Sequence, residues 1–176
     1  MDFFLKENNN FTPFSVQHII VVLFCICFGF ALIFITKKQT DKVQSIIGNI
    51  LAFSICFTVV LGTFIHLYKG NFNIQEDLPL HLCSFLALII PVLSVTKKFV
   101  YYEIFFFLIL AGTLQSVITP DEYNYLNFPF FRYWFVHAGL VIFMFFATFI
   151  YKMRPTLKSV GKSFLGMQAY MLFMFI

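Results

Sequence analysis

Charge is scarce in this sequence. Of 176 residues, 12 are Lys or Arg and 8 are Asp or Glu, together 11%. A soluble domain carries about 25% charged residues, so a water-facing surface over most of the chain is excluded. Glycine and proline are few, at 8 and 6. There is no Ser/Gly linker, no low-complexity tract and no clear internal repeat, which argues against a string of separate modules and for one domain over residues 1–176. The four cysteines, Cys25, Cys27, Cys56 and Cys83, lack zinc-ligand spacing, and no metal or cofactor is expected. Basic residues do not interleave with aromatic ones in a patch, so nucleic acid is not an expected partner.

What is present is hydrocarbon. The chain is 60% hydrophobic, with 28 phenylalanines, more than a wetted surface could carry without aggregating. Crossing a bilayer core of about 30 Å takes about 20 apolar residues. Five stretches meet that length: residues 19–36, 46–67, 78–95, 99–118 and 129–151. A sixth, 163–176, reaches only about 21 Å at 1.5 Å per residue and reads as a truncated pass. The expected fold is all-α: a polytopic transmembrane helix bundle of five complete spans and a partial sixth. The start of the chain lacks a basic lead and a small-residue cleavage site, so it does not read as a signal peptide.

Basic residues orient the bundle. Lys37, Lys38, Lys42, Lys97, Lys98, Lys152, Arg154, Lys158 and Lys162, nine of the twelve, fall in alternate connections. The other connections hold Lys6, Lys69 and Arg132, with Asp2, Glu7, Glu76, Asp77, Asp121 and Glu122. The first set is expected inside and the N-terminus outside. The formal charge of +4 therefore marks topology. The richness in Phe, Ile, Asn and Lys suggests an AT-rich genome, hence a bacterial plasma membrane.

A polar side chain inside a membrane costs free energy and must face protein or water. Several gather at the outer ends of the spans: His66, His81, Cys83, Gln115, Arg132 and His137. Each has a plainer reading. His66 suits the headgroup level, and Cys83 suits a small apolar filler. Gln115 lies on a stripe with Gly112, Ser116 and Thr119 that could pack helices. His137, flanked by Phe135, Val136, Ala138 and Leu140, has the weakest plain reading. His81 and Cys83, two residues apart, cannot face one point from a regular helix. Pro79 marks the start of the third helix and Pro91 is expected to kink it. Toward the inner side, Glu103 is expected to form an interfacial ion pair with Lys97 or Lys98. The chemistry open to the outer set is nucleophilic. A thiol reacts as thiolate, a histidine can take its proton, and Gln115 or Arg132 can hydrogen-bond a developing oxyanion. A small-molecule binding or transport subunit with an outward polar pocket is the rival reading, in which Cys83 is incidental.

Four strings carry a resemblance: LPLHLCS at 78–84, GTLQSVITPD at 112–121, FFRYWFVH at 130–137 and YKMRPT at 151–156. In order and separation they resemble the YwaF family of integral membrane proteins, which includes animal transmembrane protein 164, over about residues 45–176. The resemblance implies a bundle of about seven helices. Members continue with a segment bearing Asn-Tyr and Lys-Pro, before which this chain ends. It also implies a lipid acyltransferase with a cysteine nucleophile, Cys83 by motif match, and His137 as its partner. His66, His81, Gln115, Asp121 and Arg132 are candidate substrate-binding residues; all but His66 lie in or beside the matching strings. Membrane lipids are the expected partners.

Overall fold

The computed structural model describes residues 12–70, 73, 78–120 and 127–175. Among these the chain forms six helices: α1 Val16–Lys37, α2 Asp41–Tyr68, α3 Leu82–Thr96, α4 Phe99–Ile118, α5 Phe128–Phe149 and α6 Leu157–Met174. α1, α2, α4 and α5 are long and apolar enough to cross a membrane, and α3 is a shorter apolar helix. By length and composition these helices suit a membrane-spanning bundle.

Sequence signals at the ends explain most of the bounds. Ser15 caps α1 by accepting the His18 N–H, and Asn127 caps α5 by accepting the Phe130 N–H. Pro129 lies in the first turn of α5, where a missing N–H costs nothing. α3 stops where Lys97 turns left-handed at φ 50°. Three expected starts move by four residues or more. α2 begins at Asp41, five residues before the expected 46, after Thr40 in extended backbone. α6 begins at Leu157, six residues before the expected 163, because Thr156 and Ser159 form a reciprocal cap ahead of the apolar run. α3 begins at Leu82 rather than residue 78, and its 15 residues reach about 22 Å.

α5 is the central helix. In its apolar window 61% is buried, against 11% for α1. Its Leu140, Phe143, Met144 and Ala147 meet Ile55 and Val59 of α2 and Leu86 and Ile90 of α3 in the main core. α1 lies outside, with a largely apolar cleft of about 740 Å³ between it and α4 and α5. Phenylalanines 24, 30, 57, 64 and 164 are exposed and suit a lipid-facing perimeter, since lipid tails are as apolar as these side chains.

Several polar groups pair between helices. The Ser94 hydroxyl of α3 donates to Asn49 of α2 at 2.7 Å. Tyr102 of α4 bonds Thr148 of α5 at 2.8 Å. Glu103 is buried on α4 and pairs with Lys162 and Ser159 of α6. The expected Lys97 or Lys98 partnership is thus replaced. Those lysines sit at the link between α3 and α4, while α6 lays Ser159 and Lys162, one turn apart, directly on the carboxylate. Lys97 instead lies over the Tyr151 ring at 4.9 Å. The lysine-bearing connections are therefore drawn together at one end of the bundle.

Gly48 brings α2 against that end. A methyl group there would strike the Tyr151 hydroxyl and come within 2.9 Å of Phe146. Gly48→Ala should therefore destabilise the protein by about 1–3 kcal/mol through overpacking, read as a lower unfolding temperature in detergent. Adding Tyr151→Phe should restore part of the loss. An unchanged unfolding temperature in Gly48→Ala would contradict this packing.

Candidate functional site

At the opposite end, the chain before α3 makes a turn in place of the expected helix. The Leu80 N–H donates to the Leu78 carbonyl at 2.6 Å, a three-residue turn around Pro79 that suits the fixed φ of proline. His81 follows with extended backbone, φ −52° and ψ 140°, and the helix begins one residue later. This corrects the expectation that His81 and Cys83 must face apart. That rule holds within a helix, and His81 lies just outside one. Both now line the same cavity. The turn is held from α6, where the Tyr170 hydroxyl donates to the Leu80 carbonyl at 2.7 Å and its ring packs on Phe85.

α5 supplies the facing wall. Arg132, Tyr133, Val136 and His137 recur at helical spacing and turn to the cavity. His137 is oriented twice. Its Nδ1 donates to the Tyr133 carbonyl at 2.8 Å, and its ring packs on the Tyr133 ring at 4.1 Å between centroids. A carbonyl only accepts, so Nδ1 carries the hydrogen and Nε2 is the basic nitrogen of the neutral ring. Tyr133 is itself fixed, its hydroxyl donating to the Ser116 carbonyl of α4 at 2.7 Å. Arg132 lies in a notch at Gly62 of α2. A methyl group there would stand 2.6 Å from its Nε, so only glycine leaves room for the guanidinium.

The cavity is about 390 Å³. It is lined by Thr63 and His66 from α2, residues 78, 79 and 81–84 from the turn and α3, and Pro129, Arg132, Tyr133, Val136 and His137 from α5. Five expected site residues thus converge: His66, His81, Cys83, Arg132 and His137. Gln115 does not line the cavity. It is exposed and its amide donates to Thr119 at 2.9 Å. Asp121 lies outside the described residues. Thr63, Ser84 and Tyr133 were missed; Ser84 and Tyr133 lie in the matching strings, but neither residue type marks a role by itself. Thr113 of α4 was also missed; it is fully buried and its hydroxyl donates to the Cys83 sulfur at 3.7 Å.

This arrangement can hold a thiol, a proton acceptor and a fixed positive charge around one space. Donors to a sulfur favour its charged form, and an imidazole can receive the proton that leaves. Arg132 can meet a carboxylate, a phosphate or an oxyanion.

Compared with known families, residues 13–176 match the model of the TMEM164 family. The chain belongs to the TMEM164 family. No curated protein and no solved structure matches it. The match extends the likeness carried by the four strings back through α2 and α1, so the whole cavity of this TMEM164-family protein lies within it.

Access to the sulfur through the cavity is directly measurable. With the other cysteines replaced by alanine, a charged, water-soluble thiosulfonate should modify Cys83, and Thr63→Trp should slow the reaction severalfold by filling the cavity. Equal rates with and without the tryptophan would show that the reagent arrives by another path.

Proposed function

We propose that this TMEM164-family protein is a membrane-embedded lipid acyltransferase or acyl hydrolase that works through a Cys83–His137 pair. The observation that carries the reading is the convergence of a thiol, an oriented imidazole and an arginine, from segments far apart in sequence, on one cavity in a membrane bundle. A structural cysteine needs neither neighbour.

His137 Nε2 takes the Cys83 proton, and the thiolate attacks the carbonyl carbon of a lipid ester. The carbonyl electrons move to oxygen, where Arg132 offers charge-assisted donors. The intermediate collapses to an acyl thioester on Cys83, and the leaving alkoxide takes the proton back from His137. A second hydroxyl, from a lyso-lipid or from water, loses its proton to His137 and attacks the thioester. The acyl group leaves on the acceptor, and the thiolate recovers its proton. His66 and His81, at the exposed rim, are placed in this reading beside the lipid headgroup, and membrane lipids are both donors and acceptors. The excess of basic residues at the other end supports a bilayer orientation with the N-terminus and the cavity outside, and the richness in Phe, Ile, Asn and Lys supports a bacterial plasma membrane.

The test is transfer of a labelled acyl chain between phospholipids in proteoliposomes. Cys83→Ala should abolish transfer, and His137→Ala should lower kcat by about 10²–10⁴-fold, the range for a lost general base. Full transfer in Cys83→Ala would refute the reading. Saturable binding of a polar solute that survives Cys83→Ser, with no acyl transfer in the parent protein, would favour a binding or transport pocket instead.

A further inference from the structure

We infer that Thr113 is part of the nucleophile's own apparatus: a wide turn of α4 takes its hydroxyl off the helix and gives it to the Cys83 sulfur. The inference rests on Cys83 as the reacting atom.

α4 is not a regular helix. Residues Ile109–Thr113 form a π-helical turn, and the Leu114 N–H reaches five residues back to the Ile109 carbonyl. Such turns are rare and concentrate at functional sites. Proline, the usual cause of a broken helix, is absent from residues 99–118. One extra residue in a turn rotates everything beyond it by about 100°, so the residues before and after Thr113 present different faces.

The contrast with other threonines shows what the turn changes. Thr58, Thr63, Thr96 and Thr148 each donate to the carbonyl four residues back. This is the ordinary way a helix satisfies a threonine hydroxyl away from water. For Thr113 that carbonyl would belong to Ile109, which the wide turn presents to the Leu114 N–H, one residue further on than in a regular helix. Thr113, buried with no access to solvent, donates instead to Cys83. Gly112 lets this turn press on the first residue of α3, where an added methyl would lie 3.2 Å from Leu82.

A hydroxyl that donates to sulfur binds the thiolate more strongly than the thiol. His137 removes the proton, and Thr113 holds the charge left behind. Removing the donor raises the pH at which the thiol ionises, and leaves the ionised thiolate reachable as before.

The experiment uses the full chain in detergent with Cys25, Cys27 and Cys56 replaced by alanine. The rate of Cys83 alkylation by iodoacetamide is followed against pH. Thr113→Val keeps the shape and loses the hydroxyl. Its inflection should move up by about one unit, a tenfold slower reaction at pH values below both inflections, with the high-pH plateau unchanged. Thr113→Ser should keep the parent profile. Thr113→Ala, for use if valine impairs folding, should shift the same way as valine. An unshifted inflection in Thr113→Val or Thr113→Ala, or a serine variant shifted as far as either, would overturn the inference. Because no lipid substrate is needed, a shifted profile without acyl transfer would sink the proposed activity alone, and acyl transfer with an unshifted profile would sink only the role of Thr113.

Discussion

Hydrocarbon offers no hydrogen bonds, so polar groups among these helices are driven to find partners on the protein. The pairs that result fix which helices touch. Asn49 with Ser94 ties α2 to α3, Tyr102 with Thr148 ties α4 to α5, and Glu103 with Ser159 and Lys162 ties α4 to α6. His18 ties α1 to α4. Its Nε2 donates to the Val117 carbonyl and its Nδ1 accepts the Phe14 N–H, both at 2.9 Å. Each such bond contributes on the order of 0.6–2 kcal/mol in a membrane. Together they direct a bundle whose apolar surfaces, alike to lipid and protein, would discriminate poorly.

The two ends use the same rule differently. At the lysine-rich end the helices close on one another: Glu103 is satisfied by α6, and Gly48 lets Tyr151 lie close against α2. At the other end they are held open around a cavity by neighbours that line it only in part. Tyr133 orients His137, Gly62 makes room for Arg132, and Tyr170 holds the turn that carries His81 and Cys83. α6 contributes no lining residue, yet the shape of the cavity depends on it.

The spans were legible because hydrophobic length is a local property, and α1, α2, α4 and α5 begin and end within five residues of expectation. The convergence of His66, His81, Cys83, Arg132 and His137 was legible because polar residues at one depth must share a partner or a cavity. What escaped the sequence were departures from helical regularity. His81 reaches the cavity only because the helix starts after it. Thr113 faces Cys83 only because α4 widens by one residue there, while the expected stripe through Gln115 assumed an unbroken period. Neither departure has a proline or glycine signature strong enough to locate it. The partner of Glu103 escaped for another reason, since Lys162 is 59 residues away along the chain and only the packing of α6 joins them.

The central claim is that Cys83 carries an acyl group in turnover. Its most direct test is mass spectrometry of the peptide containing Cys83 after the reconstituted protein is mixed with phospholipid and quenched in acid. The account predicts an added fatty acyl mass on Cys83 that hydroxylamine removes, and that is absent in His137→Ala. Acyl transfer with no such adduct, or with the adduct on Cys25 or Cys56, would contradict it.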